Sequence, residues 1–249
     1  MRTLPSKLPK GIKAPLRKLI SPVLYYGSKR YCPVCCKKSS RFNPFGIDPR
    51  EDAQCPRCGS LERHRLLWLF LQKRTDLLTG KPKMLHVAPE PCLESIFRKR
   101  IGSNYLTADL FNPNAMVRMD ICDIQCPENT FDAIYCSHVL EHVPDDKQAM
   151  REFCRVLNTN GLAILNVPIT REKTFEDQSI VDPKERLKAF GQEDHVRSYG
   201  QDYVERLRDS GFVVEIIKVD DLANSDEAVK MGLTPAAGEI YYCTKQHRG

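Results

Sequence analysis

Apolar and polar positions change period regularly along the chain from residue 83 onward. Short, mostly apolar runs predict buried strands at 83–88, 105–109, 115–120, 131–137, 162–167, 212–219 and 239–244. Apolar residues three and four positions apart predict helices over 93–101 and over 149–157 with an end at Asn160–Gly161, and a further helix is predicted over 201–210. The repeated strand–helix–strand order predicts an α/β fold with a mainly parallel sheet and helices on both faces.

Two cysteine pairs stand in the N-terminal part of the chain. Cys32 and Cys35 form one C-x2-C pair, and Cys55 and Cys58 form a second pair after 19 intervening residues. Two tight turns with this spacing can direct four thiolates at one tetrahedral zinc ion. Because four thiolates leave no open coordination position, the predicted zinc ion is structural.

Chance clustering, a redox pair and iron in place of zinc are alternatives for these cysteines. Cys36 stands where the first turn ordinarily has a glycine, so we predict that it is the spare thiol. The chain has eleven cysteines, an odd number, and five of them lie between 32 and 58. This usage argues against a secreted disulfide framework and predicts a cytoplasmic location.

The predicted domains are a basic arm over 1–30, a zinc ribbon over 31–60, a connecting helix and linker over 61–80, and the α/β domain over 81–249. The arm carries eight basic residues and no acid, whereas the net charge of the whole chain is only +6. The arm is therefore expected either to be a solvated or docked tail or to meet an anionic partner, a membrane surface or RNA. No apolar run is long enough to predict a transmembrane segment.

Two carboxylates stand at the predicted ends of successive strands. Asp109 closes the second strand, 21 residues after Ala88, and Asp120 closes the third. In doubly wound folds ligands bind at the carboxyl ends of the strands, where an acid can bind the ribose hydroxyls of a nucleotide. The Asp120 carboxylate and the backbone amide of Ile121 are suited to form hydrogen bonds with the edge of an adenine ring. Both acids could instead cap helix starts.

Several motifs in order resemble class I S-adenosylmethionine-dependent methyltransferases of the small-molecule type. They are FDAIYCSHVLEHV at 131–143, MREFCRVL at 150–157 with Gly161, and DHVRSY at 194–199. The resemblance covers roughly residues 81–245. It implies a Rossmann-like seven-stranded sheet whose last two strands form an antiparallel hairpin, with S-adenosylmethionine as cofactor. The cofactor-binding residues expected on this basis are His86, Ala88, Glu90, Asp109, Leu110, Asp120, Ile121 and Ser137.

The first loop departs from the family pattern. The family has an acid before G-x-G-x-G, whereas this chain has HVAPEPC at 86–92, without a glycine. Ala88 still permits close approach of the backbone, and Glu90 is a candidate ligand for the amino group of the cofactor. Because the loop lacks glycine, a vestigial cofactor pocket is an alternative to an active one.

Three histidines are the candidate catalytic residues. His138, just past the fourth strand, is the first candidate for a general base, and His142 and His195 are secondary candidates. H-x-x-E-H at 138–142 also matches a zinc-peptidase motif, which Pro144 and the preceding strand disfavour. A metal held by His138, Glu141 and His142 is a further alternative, suggested by an acid-rich cluster in the ubiquinone-biosynthesis branch.

Two functions compete on the sequence alone. The first is methyl transfer to a small-molecule or glycan-type acceptor, with the stretch 170–197 as a lid over it. The alternative for this stretch is a solvated loop with a helix near 184–190. A strand-four motif typical of nucleic-acid amino-methyltransferases is absent, since SHVL stands at 137–140. The second is a binding module in which the zinc ribbon and basic arm dock on RNA or a protein partner, with an active or vestigial cofactor pocket.

Overall fold

A computed structural model describes residues 23–46 and 48–245. The longer helices are α1 Glu62–Arg74, α2 Pro91–Ile101, α3 Asp146–Val156, α4 Pro183–Phe190, α5 Tyr203–Asp209 and α6 Ser225–Met231. The first strands are β1 Arg30–Cys32, β2 Lys37–Ser39, β3 Asn43–Phe45, β4 Arg50–Gln54, β5 Met84–Val87, β6 Tyr105–Asp109 and β7 Val117–Arg118. The remaining strands are β8 Phe131–Ser137, β9 Leu157–Asn166, β10 Ile169–Arg171, β11 Phe175–Glu176, β12 Arg197–Gly200, β13 Phe212–Ile217 and β14 Ile240–Lys245.

The described chain forms two compact units. Of the described residues, the cysteine unit combines those up to Trp68 with Ala223–Ala237, and the sheet unit combines Leu69–Leu222 with those from Gly238 to Lys245. Most of the predicted basic arm, residues 1–22, lies outside the described residues. The domain boundaries given above stay predictions.

Two small antiparallel hairpins make up the start of the cysteine unit. β1 pairs with β2, and β3 pairs with β4. A buried apolar set packs in this unit, namely Phe42, Ala53, Leu66, Leu67 and Trp68. Helix α6 is fixed at its start by Asn224, whose side chain accepts the Glu227 N–H while the Glu227 side chain accepts the Asn224 N–H. The later segment 223–237 is thus an ordered part of the cysteine unit.

A seven-stranded sheet in the order β13-β14-β9-β8-β5-β6-β7 organises the sheet unit. β9, β8, β5, β6 and β7 are mutually parallel, and β14 is antiparallel to both of its neighbours. The predicted α/β fold, with a seven-stranded, mostly parallel sheet and a C-terminal antiparallel hairpin, is therefore confirmed. The interior strand β5 is buried along its whole length, which explains why three of its four residues are apolar and only His86 is polar.

Strand β9 begins earlier than its sequence predicts. The helix expected to reach Asn160–Gly161 ends at Val156, and β9 starts at Leu157. Phe131 pairs with Leu157 but Ala133 pairs with Leu162, so the turn-like residues bulge out within the strand. A Cβ on Gly161 would stand 3.0 Å from the Asp132 carbonyl oxygen, so this close approach requires glycine.

The segment expected to be a lid contains regular structure. β10, β12 and β11 form a separate three-stranded sheet in that order. Helix α4 begins where the Asp182 carboxylate accepts the N–H groups of Lys184 and Glu185, and it ends at Gly191, which has a left-handed φ of 89°. A role for this segment as a lid stays a prediction.

Within the described residues, the helices are all too short or too polar to cross a lipid bilayer.

Candidate functional site

The carboxyl ends of β5, β6, β7 and β8 meet at one edge of the large sheet. β5 and β8 are adjacent at its centre, and the chain runs outward from them in opposite directions. This reversal of strand order opens the crevice in which doubly wound folds bind ligands. Most of the predicted cofactor residues end or follow these strands, whereas His86 lies inside β5; the full set is His86, Ala88, Glu90, Asp109, Leu110, Asp120, Ile121 and Ser137.

Ala88 adopts a left-handed conformation that ordinarily favours glycine. Its φ is +48°, in the left-handed region, and its N–H donates to the Ala108 carbonyl at 2.8 Å. A left-handed residue with a Cβ costs roughly 1–2 kcal/mol, and alanine carries the smallest such side chain. The loop therefore turns sharply after β5 without a glycine, and α2 begins at Pro91.

Glu90 is held in place by a buried chain of hydrogen bonds. Its Oε2 lies 3.0 Å from His86 Nε2, and its Oε1 accepts the Tyr135 hydroxyl at 3.4 Å. Because a carboxylate only accepts, His86 Nε2 carries the proton, and His86 Nδ1 accepts the Tyr105 hydroxyl at 2.7 Å. Burial raises the pKa of Tyr105, so its phenol keeps the proton it donates.

His86 itself is completely buried beneath this loop. Its ring therefore orients the Glu90 carboxylate and lies inside the protein, away from the crevice surface. Tyr105 and Tyr135 were not among the predicted site residues. No motif marks them, since tyrosines inside strands are common core residues.

Asp109 ends β6 with its carboxylate folded over the following loop. Its Oδ1 accepts the N–H groups of Phe111 and Asn112, each at 2.8 Å. These bonds fix the side chain in one orientation. Within 23–46 and 48–245, Oδ2 has no hydrogen-bond partner, and the residue is only partly buried.

Asp120 and Ile121 follow β7 at the same edge. The Asp120 Oδ1 accepts the Cys122 N–H at 2.9 Å, and the Ile121 side chain is buried in the core. Burial, reinforced by the Asp120 charge, raises the pKa of the Cys122 thiol to about 11. Cys122 is therefore a protonated, unreactive thiol near neutral pH.

The turn after β8 carries the first catalytic candidate. Ser137 is buried and its hydroxyl has no hydrogen-bond partner in the described chain. His138 has a left-handed φ of +57°, and its N–H donates to the Asn166 carbonyl at 2.8 Å. His138 Nδ1 lies 3.3 Å from Glu141 Oε1, and the side chain is 36% exposed.

A second group of side chains converges beside His138. One ligand atom each from Glu141, His142 and His195 lie within 4.8 Å of one another. His195 Nδ1 lies 3.3 Å from the Phe190 carbonyl oxygen. Burial, together with the neighbouring His142, lowers the pKa of His195, so its imidazole is neutral near pH 7. His138 lies outside this converging set, although it contacts Glu141.

Arg197 forms hydrogen bonds with the turn that carries Glu141 and His142. Its guanidinium donates to the carbonyls of Leu140 and Pro144, each at 2.8 Å, and also to that of Val143. Its Nε donates to the Glu176 carboxylate at 3.0 Å. Arg197 was not predicted as a site residue, because its partners are backbone carbonyls more than 50 positions away, for which sequence gives no signal.

The four predicted cysteines converge in the cysteine unit. The Sγ atoms of Cys32 and Cys58 are 3.6 Å apart, and those of Cys35 and Cys55 are 3.8 Å apart. Zinc–sulfur bonds of about 2.3 Å in a tetrahedron require sulfur–sulfur distances of roughly 3.8 Å. The donor set and its spacing therefore fit one zinc ion.

Ser60 and Arg65 are polar residues beside the four cysteines. The Ser60 hydroxyl lies 3.1 Å from the Cys32 sulfur and 3.2 Å from the Cys58 sulfur. Arg65 is fully buried and donates to the carbonyls of Ala53, Ser60 and Gly232 at 2.9–3.0 Å. Burial lowers the pKa of Arg65. The nearby cysteine sulfurs, when they are ionised, act in the opposite direction and raise it.

Cys36 points away from the cluster. It is exposed, has a φ of +55° in the left-handed region, and its thiol contacts the Pro33 carbonyl at 3.5 Å. The sulfur set that converges is Cys32, Cys35, Cys55 and Cys58.

Comparisons with known proteins find matches for part of the sheet unit. Residues 84–165 match a family model described as a methyltransferase domain. No curated protein matches the sequence. A solved structure described as an S-adenosylmethionine-dependent methyltransferase from Mesorhizobium loti is 15% identical, with 72% of this chain and 97% of that chain covered and a TM-score of 0.51.

A second solved structure is the Burkholderia thailandensis 1,6-didemethyltoxoflavin-N1-methyltransferase with bound 1,6-didemethyltoxoflavin and S-adenosylhomocysteine. It is 14% identical, with 75% of this chain and 78% of that chain covered and a TM-score of 0.49. The chain therefore contains a segment that matches a methyltransferase domain, within an α/β fold that it shares with the Mesorhizobium loti structure.

Proposed function

We propose that the protein is an S-adenosylmethionine-dependent methyltransferase acting on a small-molecule or glycan-type acceptor. The observation that carries the proposal is the position of Asp109 and Asp120. They end or follow successive strands at the edge where strand order reverses, inside the region that matches a methyltransferase domain. The proposed location is the cytoplasm, where a reducing environment keeps the cysteine thiols available to metal.

The cofactor would be held by groups that the fold already orients. Asp109 offers Oδ2 as an acceptor for the ribose hydroxyls. The Asp120 carboxylate and the Ile121 amide form hydrogen bonds with the edge of the adenine ring. Glu90, fixed by His86 and Tyr135, is the partner for the positively charged amino group. Ala88 lets the backbone come close, and the side chains of Leu110 and Ser137 complete the proposed set.

S-adenosylmethionine supplies an electrophilic methyl group on a positively charged sulfur. The chain's part is to align an acceptor and to remove its proton. With Nδ1 of His138 directed at the Glu141 carboxylate, the Nε2 lone pair remains to accept a proton from the acceptor. His142 and His195 are the secondary candidates for this role.

The four-cysteine cluster is proposed to hold a structural zinc ion. Cys32, Cys35, Cys55 and Cys58 supply four thiolates, and the Ser60 hydroxyl donates to one of their sulfurs. Zinc there would join the two hairpins of the cysteine unit, which has only a small apolar core of its own.

Calorimetric titration tests the enzymatic proposal. Folded, zinc-loaded protein is titrated with S-adenosylmethionine and, separately, with S-adenosylhomocysteine. Both should bind, because the proposed contacts to ribose, adenine and amino group are common to the two molecules. Absence of binding by either compound would overturn the proposal.

A further inference from the structure

Two buried ligand atoms near His138 have no partner within the described part of the chain. They are Oε2 of Glu141, a residue only 1% exposed, and Nε2 of His195, which is 6% exposed. Burying such atoms without a hydrogen bond costs free energy, so nearly all buried polar atoms in native structures have a partner. An ion that binds between them would account for both.

The other polar atom of each of these residues is already engaged. His195 Nδ1 faces the Phe190 carbonyl, which can only accept, so Nδ1 carries the proton and Nε2 presents its lone pair. Glu141 Oε1 faces His138, which leaves Oε2 free, and His142 Nδ1 lies 3.2 Å from Asp194. Metal ligands are typically held in this way by a second partner.

The two ligand-bearing segments are joined before any ion binds. The Val196 N–H donates to the Glu141 carbonyl at 2.9 Å, directly beside His195. Arg197 adds its hydrogen bond to the Leu140 carbonyl. The His142 and His195 rings meet edge to face with centroids 4.6 Å apart. The site therefore needs little rearrangement to bring three ligands to one ion.

We propose that Glu141, His142 and His195 bind a divalent transition-metal ion of the zinc class, separate from the four-cysteine site. Two imidazoles and one carboxylate favour zinc, iron(II) or cobalt(II) over magnesium or calcium, which prefer oxygen ligands. Three protein ligands leave coordination positions open for water or another oxygen ligand. The set differs from the sequence-based alternative of His138, Glu141 and His142, because His195 replaces His138.

Cobalt(II) titration of the full chain tests this site. The protein is first loaded with one equivalent of zinc, which the thiolates should take. Added cobalt should then bind at one further equivalent and give d–d absorption without thiolate charge-transfer bands. A tenfold excess of magnesium should not displace it.

Two variants and a control assign the ligands. His195→Gln keeps an N–H for the Phe190 carbonyl, and Glu141→Gln keeps the shape of the side chain. Each should weaken cobalt binding more than about 10-fold, since loss of a supporting partner alone costs 10- to 100-fold. Glu128→Gln, the same substitution as Glu141→Gln but at an exposed acid, should leave the affinity unchanged. Circular dichroism and the thermal midpoint of each variant establish that the fold is retained.

Three results would overturn the proposal: no cobalt bound beyond the thiolate site, cobalt affinity unchanged in both folded variants, or equal weakening in the Glu128 control. None of these depends on S-adenosylmethionine binding, which is measured separately. The metal proposal and the methyltransferase proposal can thus fail independently.

Discussion

The four-cysteine cluster and the edge of the seven-stranded sheet differ in whether their ligand atoms have close polar neighbours. In the cluster, every sulfur lies against another sulfur or the Ser60 hydroxyl. At the edge, Ser137, Glu141 and His195 each keep a buried polar atom without a partner in the described residues. The four sulfurs converge on one another as a closed set, whereas the unpartnered atoms at the edge suit a site that is open to a ligand. Loss of a cluster cysteine should therefore have a large effect on stability, and loss of the Asp109 charge at the edge should mainly affect binding.

The largest effect is expected from Cys55→Ser. Removing one of four thiolates should release the proposed zinc and unfold the cysteine unit, because metal binding in small zinc modules contributes on the order of 10 kcal/mol. Elemental analysis and thermal unfolding measure the result, with Cys36→Ser as the matched control that should keep its metal. If the two variants hold equal zinc, the cluster is not the site.

Arg65→Met should come next. It removes a buried guanidinium and leaves the carbonyls of Ala53, Ser60 and Gly232 without their donor. We expect a loss of about 3 kcal/mol in the free energy of unfolding, since hydrogen bonds to charged groups are worth about 1.5–3 kcal/mol. Urea denaturation measures it against Lys38→Met, an exposed position. Similar midpoints for the two variants would contradict this prediction.

Asp109→Asn tests the edge. The amide can still accept the loop N–H groups, but it loses the charge that strengthens hydrogen bonds to hydroxyls. S-adenosylmethionine affinity should fall about 10- to 100-fold, which corresponds to about 1.4–2.7 kcal/mol, with little change in stability. Asp123→Asn, an exposed acid nearby, is the calorimetric control. A stability loss without weaker binding would make Asp109 structural.

Ser137→Ala should have the smallest effect and the opposite sign. Its hydroxyl is buried without a partner, so its removal should stabilise the fold by up to about 1 kcal/mol. Ser210→Ala is the matched comparison, because the Ser210 hydroxyl donates to the Arg206 carbonyl at 2.8 Å. That variant should lose about 1 kcal/mol in chemical denaturation. Destabilisation by both substitutions would remove the contrast between the two regions.

The features readable from sequence were those set by local spacing. Two C-x2-C pairs predict convergence because each pair lies in one turn, and the strands at 105–109 and 131–137 follow from short, mostly apolar runs. Asp109 was identifiable from its position at a strand end. The binding roles of these residues stay predictions, whereas the α/β fold is confirmed.

The features that sequence did not reveal depend on contacts between distant segments. His195 meets Glu141 and His142 because Arg197 and the Val196 N–H attach their segments to each other. The β9 bulge arises from pairing with β8, which overrides the turn preference of Asn160–Gly161. Ala88 shows that a left-handed residue need not be glycine, so a missing glycine motif does not by itself predict a missing turn.

The cysteine unit is discontinuous along the chain, and this has a consequence for the order of events during protein synthesis. Its Arg65 needs the carbonyl of Gly232, which lies 167 residues further along. A ribosome releases the N-terminal part of the chain first, and domains generally fold as they emerge. Here the hairpins can form early, but their unit is completed only after nearly the whole sheet unit has been translated. Early metal capture would therefore protect exposed thiols while the nascent unit waits for its last segment.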